Sequence, residues 1–514
     1  MKSTERLFQS IYPDAVAHPE RMAATSERVA EVARIVLGDQ APDLTDVFSG
    51  SGDGCPPGPR TPLDAAQARR LVDLIAAAAG AADVSRMTRL LEASEISAAE
   101  AIELHETFKI PVSHLESDVI PVRGQGVWIE AIDGRTYMDL DSNYSAANLG
   151  FSNEEIGRAL FNQASLLIAV KEDRVHAPRA RFLKLFRGML PEDLTQFYWQ
   201  NSGGEAVDKS LKMAKAATGR TGVVAFENGF HGRTHGAISV THNLKYRKPF
   251  GLDETGWAHF APYNDAEAVA RIFAAGKART VIMELVQSEE AGIRPAEPEF
   301  VRKIRAICTD YDGVLIFDEV QSGFGRAAEK EGQWFACQTY GVTPDIIVIG
   351  KSFGGGFPLA AVVTTNKISE AMKPGYDGST FGGNPMAMAA AVVAFRQMNR
   401  LNLTANVVAR SGQISAGLAV LGAKHPVLGG IRIKGLFIGF DLPSSGHVAL
   451  FQEAMKEQGV ITSLSTGPTV RLLPPLLISS DEVEFMLQAI DVALSRIAAG
   501  ESDFQPAAAW EAHL

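Results

Sequence analysis

The rhythm of hydrophobic and polar positions changes along the chain. Residues 22–37 and 63–80 carry apolar side chains at helical spacing. Between them, Asp46 to Pro62 is crowded with Gly, Pro and Ser and reads as a linker or long loop. Ala98 to Phe108 predicts another helix, with Ser97 as N-cap and Glu100 as its capping-box partner. Residues 1–105 therefore read as an α-helical extension. It holds no chemical motif, and a packing or oligomerisation arm is the plain reading. From residue 120 on, the texture changes. VWIEAIDGRTYMDL (127–140) shows two strand-like runs around Asp133-Gly134, a hairpin signal. Beyond 190, β-rich runs at 197–200, 222–227, 280–285, 313–320 and 345–350 alternate with helical stretches at 204–218, 265–276 and 298–311. Apolar strands separated by helices predict an α/β fold of βαβ units, with a mostly parallel sheet covered on both faces. After 395 the pattern is mixed helix and strand, ending in a helix near 480–499 and a polar tail.

Composition narrows the class. The 514 residues are 46% hydrophobic and 21% charged, which excludes collagen, a coiled-coil rod and a disordered chain. The length predicts roughly three lobes. A net charge of −11, with no basic run, argues against a nucleic-acid partner. Cys55, Cys308 and Cys337 are scattered and form no CxxC, so neither a disulfide framework nor a metal site is expected, and a reducing compartment fits. The longest apolar stretch near the start, Leu74 to Ala82, falls well short of the ~18 residues of a membrane span. Residues 1–20 carry Asp, Glu, His and Pro where a signal peptide is apolar. A cytoplasmic protein without membrane contact is expected.

In parallel sheets, ligands gather beyond the carboxyl ends of the strands. After GVLIF comes Asp318, whose carboxylate at the end of an apolar strand needs a cation or strong donors. After DIIVIG comes Lys351, then a glycine-rich loop. Partial desolvation there lowers the lysine pKa and frees the amine as a nucleophile toward a carbonyl. After FYWQ, Ser202-Gly203-Gly204 opens a helix, where backbone N–H groups and the helix dipole favour an anion. After GVVAFE, Phe230 is placed to cover a flat ring, with His231 beside it and Arg233 placed to meet a carboxylate. Taken singly, each of these also fits an ordinary turn or strand end. Together, a phosphate, a lysine-trapping carbonyl and a ring nitrogen paired with aspartate define pyridoxal 5'-phosphate.

The ordered motifs resemble the class III (ω-type) aminotransferases of the fold-type-I pyridoxal phosphate enzymes. They are NSGGEAVDKSLKMAKAATGRTGVVAFENGFHGRT (201–234), ELVQSEEAG (284–292), LIFDEVQSGFGR (315–326), PDIIVIGKSFGGGFPLAAV (344–362) and STFGGNPMAMAAA (379–391). The resemblance runs from residue 120 to the C-terminal helix. It implies a large cofactor-binding domain at 166–395, with a mainly parallel seven-stranded sheet. A small α+β domain would form from 106–165 and 396–514. It implies that Lys351 bonds the cofactor as a Schiff base and shuttles a proton, and that Asp318 keeps the ring nitrogen protonated. Gln321 would lie near the phenolic oxygen, Ser202, Gly203 and Gly204 at the phosphate, and Phe230 and His231 along the ring. Thr380 would reach the phosphate in the neighbouring subunit of a homodimer. Glu319 would support Asp318 or a nearby loop. Arg471 would take a substrate carboxylate, Glu289 would neutralise that arginine when no carboxylate is present, and Arg233 would bind a second carboxylate. Two such arginines suit 2-oxoglutarate as acceptor. Leu285, Ser288 and Phe151 stand where the family usually has Pro, Gly and His, and Tyr144 replaces a small aliphatic residue over the substrate side. The implied activity is ping-pong transamination between an amino donor and a 2-oxo acid. A racemase, epimerase or aminomutase uses the same cofactor chemistry.

Overall fold

The computed structural model describes residues 4, 6–8, 29–30, 32–44, 65–92, 98–112, 119–132, 134–463 and 467–500. The proposed linker at 46–62, the cap Ser97, Asp133 and the polar tail lie outside the described residues, as does the start of the 22–37 helix. The chain divides into two compact units, 1–114 and 115–514.

The first unit contains helices Ala65–Ala78, Ala81–Glu92 and Ala98–Phe108. Leu71, Val72 and Ile75 share a core with Val84, Met87, Val32 and Ala33. This is the helical character that its periodicity predicts.

The second unit is built on a seven-stranded sheet. Its spatial order is Gln196–Gln200, Ala360–Thr364, Ile346–Ile349, Val314–Asp318, Thr280–Glu284, Val223–Phe226 and Ala258–Ala261. Neighbours run parallel except at Ala360–Thr364, which is antiparallel to both strands beside it. All residues of Val223–Phe226, Val314–Asp318, Ile346–Ile349 and Ala360–Thr364 are buried, as continuous apolar runs require when helices cover both faces. On one face, Val207, Leu211 and Ala214 of helix Gly203–Thr218 pack against Val223, Ile316, Val348 and Val362. Each such valine, leucine or isoleucine side chain contributes roughly 1.5–3 kcal/mol on burial.

The hairpin forms as its sequence predicts. Trp128–Ala131 pairs antiparallel with Thr136–Asp139, and Gly134 takes the left-handed φ of 81° that the turn needs. Val460–Ile461 adds to this sheet in parallel with Thr136–Asp139, so segments from both ends of the unit share it. A separate three-stranded sheet, Gly429–Lys434, Phe437–Asp441 and Thr469–Leu472, carries Arg471. Among the described residues, no helix is long and apolar enough to cross a membrane.

Candidate active site

Asp318 and Lys351 both lie at carboxyl ends of the large sheet, on adjacent parallel strands. Asp318 closes an entirely buried strand and is 8% exposed. Its Oδ2 lies 2.7 Å from Nδ1 of His231, itself 4% exposed, and its Oδ1 accepts from the Val320 N–H at 3.1 Å. One face of the carboxylate is thus fixed by the imidazole while its charge stays available to a ring N–H.

Lys351 follows Ile346–Ile349 after Gly350 and adopts a left-handed φ of 46°. Burial pulls the lysine pKa below its ordinary value; Glu289, Asp141 and Asp318 push it up, and Arg471 pulls it down. Net desolvation favours the neutral amine, which is the nucleophilic and basic form. Those same charges show that Asp141, Glu289, Asp318 and Arg471 converge on this lysine. Its Nζ forms no hydrogen bond or ion pair among the described residues.

The anion cradle opens helix Gly203–Thr218. Ser202 is its N-cap: the hydroxyl accepts from the Glu205 N–H at 3.3 Å, and Glu205 Oε2 accepts in return from the N–H groups of Asn201 and Ser202. The box holds the first turn rigid and leaves the Gly203 and Gly204 N–H groups without a helical acceptor. A Cβ on Gly203 would lie 2.9 Å from Val320 Cγ1, and one on Gly204 3.2 Å from Thr234. Glycine is therefore the residue that lets backbone come this close.

Phe230 and His231 stand on the loop after Val223–Phe226. The Phe230 N–H donates to Glu284 Oε2 at 2.8 Å, the His231 N–H donates to Thr241 Oγ1 at 2.9 Å, and Thr234 Oγ1 donates to Gly204 O at 3.1 Å. The third bond ties the ring-covering loop to the cradle. Glu284 pairs in register with Asp318 on the neighbouring strand. Burial, reinforced by the Asp318 charge, drives the Glu284 pKa well above the ordinary carboxylate range. The rise keeps Glu284 toward its neutral form beside Asp318.

On the substrate side, Arg471 is 3% exposed and its Nη1 pairs with Glu289 Oε2 at 2.7 Å. Burial works against ionisation of Glu289, but the Arg471 and Lys351 charges outweigh it and hold this carboxyl below its usual pKa. The Arg233 guanidinium lies 3.5 Å over the Tyr246 ring and 5.4 Å from the Phe230 ring, with no ion pair among the described residues.

Tyr144 sits in an unusual turn. Ser142, Asn143, Tyr144 and Ser145 have φ of 48°, 52°, 52° and 70°, so four consecutive residues with side chains are left-handed. Each costs roughly 1–2 kcal/mol. The anchors are many. Asp139 Oδ1 accepts from the N–H groups of Asp141 and Ser142, both at 2.7 Å. Asp141 Oδ2 accepts from the Tyr144 N–H at 2.8 Å. Gln321 Nε2 donates to Tyr144 O at 3.3 Å and Ser145 Oγ at 3.4 Å.

Glu319 supports a loop rather than Asp318. It is wholly buried and accepts from the N–H groups of Ala336 at 2.6 Å and Cys337 at 2.8 Å, while burial lifts its pKa to about 7. Thr380 is exposed, in a loop held by Asp377, which pairs with Lys209 and Lys212, both at 2.6 Å. Sequence reasoning passed over Glu284, Tyr246 and Arg326. Glu284 and Arg326 stand within the quoted motifs, but their importance lies in strand register and burial.

The site fits pyridoxal phosphate. A glycine cradle can admit a phosphate, the buried Asp318 carboxylate can meet a ring nitrogen, and the desolvated Lys351 amine has no hydrogen-bond or ion-pair partner among the described residues. Residues 110–494 match the family model for class-III aminotransferases. An acetylornithine aminotransferase of Archaeoglobus fulgidus is 35% identical over 383 residues, covering 74% of this chain and 96% of the relative. A [LysW]-aminoadipate semialdehyde transaminase of Deinococcus radiodurans is 35% identical over 383 residues, covering 74% and 87%. The structure of an acetylornithine aminotransferase from Elizabethkingia anophelis superposes with a TM-score of 0.68 at 27% identity, covering 78% of this chain and all of that one (100%). The ornithine aminotransferase of Toxoplasma gondii shares the fold, with a TM-score of 0.74 at 23% identity over 80% and 98% of the two chains. The chain belongs to the class-III aminotransferases. Its fold is that of the fold-type-I enzymes, its cofactor is pyridoxal 5'-phosphate and its reaction is transamination.

Proposed function

We propose that this aminotransferase takes the amino group from the terminal amine of a donor that also bears a carboxylate, and passes it to 2-oxoglutarate. The observation that carries this reading is the Arg471–Glu289 pair at 2.7 Å beside Lys351, together with the unpaired cation of Arg233. The names of the relatives, acetylornithine and [LysW]-aminoadipate semialdehyde transaminases, support a donor of this kind.

The residues divide the work as follows. Lys351 would hold the cofactor through its amine and, as a free amine, would serve as the base that takes and returns the proton of the nitrogen-bearing carbon. Asp318, oriented by His231, holds the ring nitrogen protonated. Bound there, pyridoxal phosphate supplies a carbonyl that accepts the amino group and a ring that delocalises electrons. Gly203 and Gly204 would donate to the phosphate, Phe230 would cover the ring, and Gln321 would orient the edge near the phenolic oxygen. Arg233, with Tyr144 on the same side, receives the distal carboxylate. Arg471 is masked by Glu289 while the donor presents an unsubstituted carbon. It is unmasked for the α-carboxylate of the 2-oxo acid.

A homodimer completes the site in this reading, with Thr380 donating to the neighbouring subunit's phosphate. An open groove between helices Glu154–Leu166, Ala177–Phe186 and Pro385–Arg400 supports it, being lined by Leu166, Pro178 and Val392 with Phe161 exposed nearby. The Thr380 loop adjoins it, since Arg179 Nη2 donates to Gly383 O at 3.2 Å. The buried free thiols of Cys308 and Cys337 suit a reducing cytoplasm.

A screen of ω-amino donors with 2-oxoglutarate and pyruvate as alternative acceptors tests the reading. It expects stoichiometric glutamate and ping-pong kinetics. Turnover that needs no 2-oxo acid, with loss of optical activity, would instead establish a racemase.

A further inference from the structure

Arg326 heads the largest fully buried side chains and is 0% exposed. A guanidinium removed from water is costly unless its donors are met, and the usual partner is a carboxylate. Among the described residues, no carboxylate bonds it. Its two terminal nitrogens instead reach oxygens from three separate segments, while its buried Nε meets no acceptor among the described residues. Nη1 donates to Leu436 O at 3.0 Å. Nη2 donates to Pro474 O at 2.9 Å and to Asn148 Oδ1, and it reaches Ser142 Oγ at 3.5 Å.

Those segments carry the substrate side of the site. Ser142 opens the left-handed turn that bears Tyr144, and its hydroxyl donates to Leu473 O at 2.6 Å. Asn148 Nδ2 donates to Ser352 Oγ, which in turn donates to Ser145 O at 3.0 Å, beside Lys351. Leu473 and Pro474 follow the strand that carries Arg471, and the Leu473 N–H donates to Leu140 O at 2.6 Å. A planar fork aims its donors in fixed directions, so one guanidinium sets the spacing of all three segments.

We propose that Arg326 is a positioning residue for the substrate pocket: it locks the Ser142–Ser145 turn under Tyr144 to the strand end that carries Arg471, and so sets the distance between the two carboxylate-binding sides. The proposal rests on the transamination reading in assigning Tyr144 and Arg471 to substrate.

The test is Arg326→Lys in the holoenzyme, which keeps the charge and loses the fork. Glutarate, an unreactive dicarboxylate, is titrated against the visible band of the bound cofactor, and steady-state constants are measured alongside. The expected result is an unchanged band, kcat within about threefold of the parent, and a glutarate Kd and 2-oxoglutarate KM raised about tenfold, the scale of one charged hydrogen bond. Ser142→Ala, which removes one anchor without touching the charge, is expected to raise both about threefold. It decides the matter if Arg326→Lys does not fold. Parental glutarate affinity in the folded variants overturns the proposal, as does a loss confined to kcat and the cofactor band. A wild type that binds glutarate but makes no glutamate overturns the 2-oxoglutarate reading alone, because the binding measurement still tests Arg326.

Discussion

Glu289→Gln exposes the logic of the two-substrate pocket. In the parent protein, Arg471 is covered by a carboxylate at 2.7 Å, and a 2-oxo acid has to displace that carboxylate before its own can bind. Removing one partner of a buried ion pair costs about 3 kcal/mol at the low end, and the glutamine oxygen recovers about 1 kcal/mol as a hydrogen-bond acceptor. Roughly 2 kcal/mol of competition is thereby lifted from the acceptor, some thirtyfold in affinity. Glutarate binding, followed at the cofactor's visible band, is expected to tighten by about that factor, while the melting temperature of the unliganded holoenzyme falls. The ω-amine donor is expected to lose kcat/KM, because the uncovered Arg471 draws its carboxylate and presents the wrong carbon to Lys351. Unchanged glutarate affinity with an unchanged melting temperature would refute the reasoning.

Other consequences follow from the same geometry. Burial, with the Asp141 charge second, raises the Asp139 pKa to about 6 from 3.8. A carboxyl whose folded pKa is raised costs stability as pH climbs from the unfolded to the folded value, here at most about 3 kcal/mol above pH 6. Asp139→Asn keeps an oxygen for the Asp141 and Ser142 N–H groups, so it is expected to raise the melting temperature at pH 8, with the gain vanishing near pH 4. A variant less stable than the parent at both pH values contradicts that assignment. Asp318→Asn is expected to retain bound cofactor yet lose about 10²–10³-fold in kcat, the scale of removing one electrostatic stabiliser; near-parental kcat refutes its role at the ring nitrogen.

The chemistry at single strand ends was legible because local sequence dictates it. An apolar run followed by Asp318, or by Lys351 and glycines, needs no tertiary knowledge to read as a buried charged group in a parallel sheet. What depends on register was not legible. Glu284 matters because it lies beside Asp318 across a strand pair that no local pattern specifies. The antiparallel run of Ala360–Thr364 is equally silent, since its apolar composition matches that of its parallel neighbours. The Ser142–Ser145 turn defeats propensity outright, because non-glycine residues enter the left-handed region there only under tertiary restraint. The capping role of the Ser202 hydroxyl at the helix that builds the cradle was not read from the sequence. Ala258–Ala261 escaped notice as a short, half-buried edge strand.

The central claim is that Lys351 carries the cofactor. Borohydride reduction of the purified protein, followed by peptide mass mapping, tests it most directly. The account predicts loss of the visible band and one phosphopyridoxyl group on the peptide containing Lys351. A phosphopyridoxyl group on any other lysine, or none at all from cofactor-saturated protein, contradicts it.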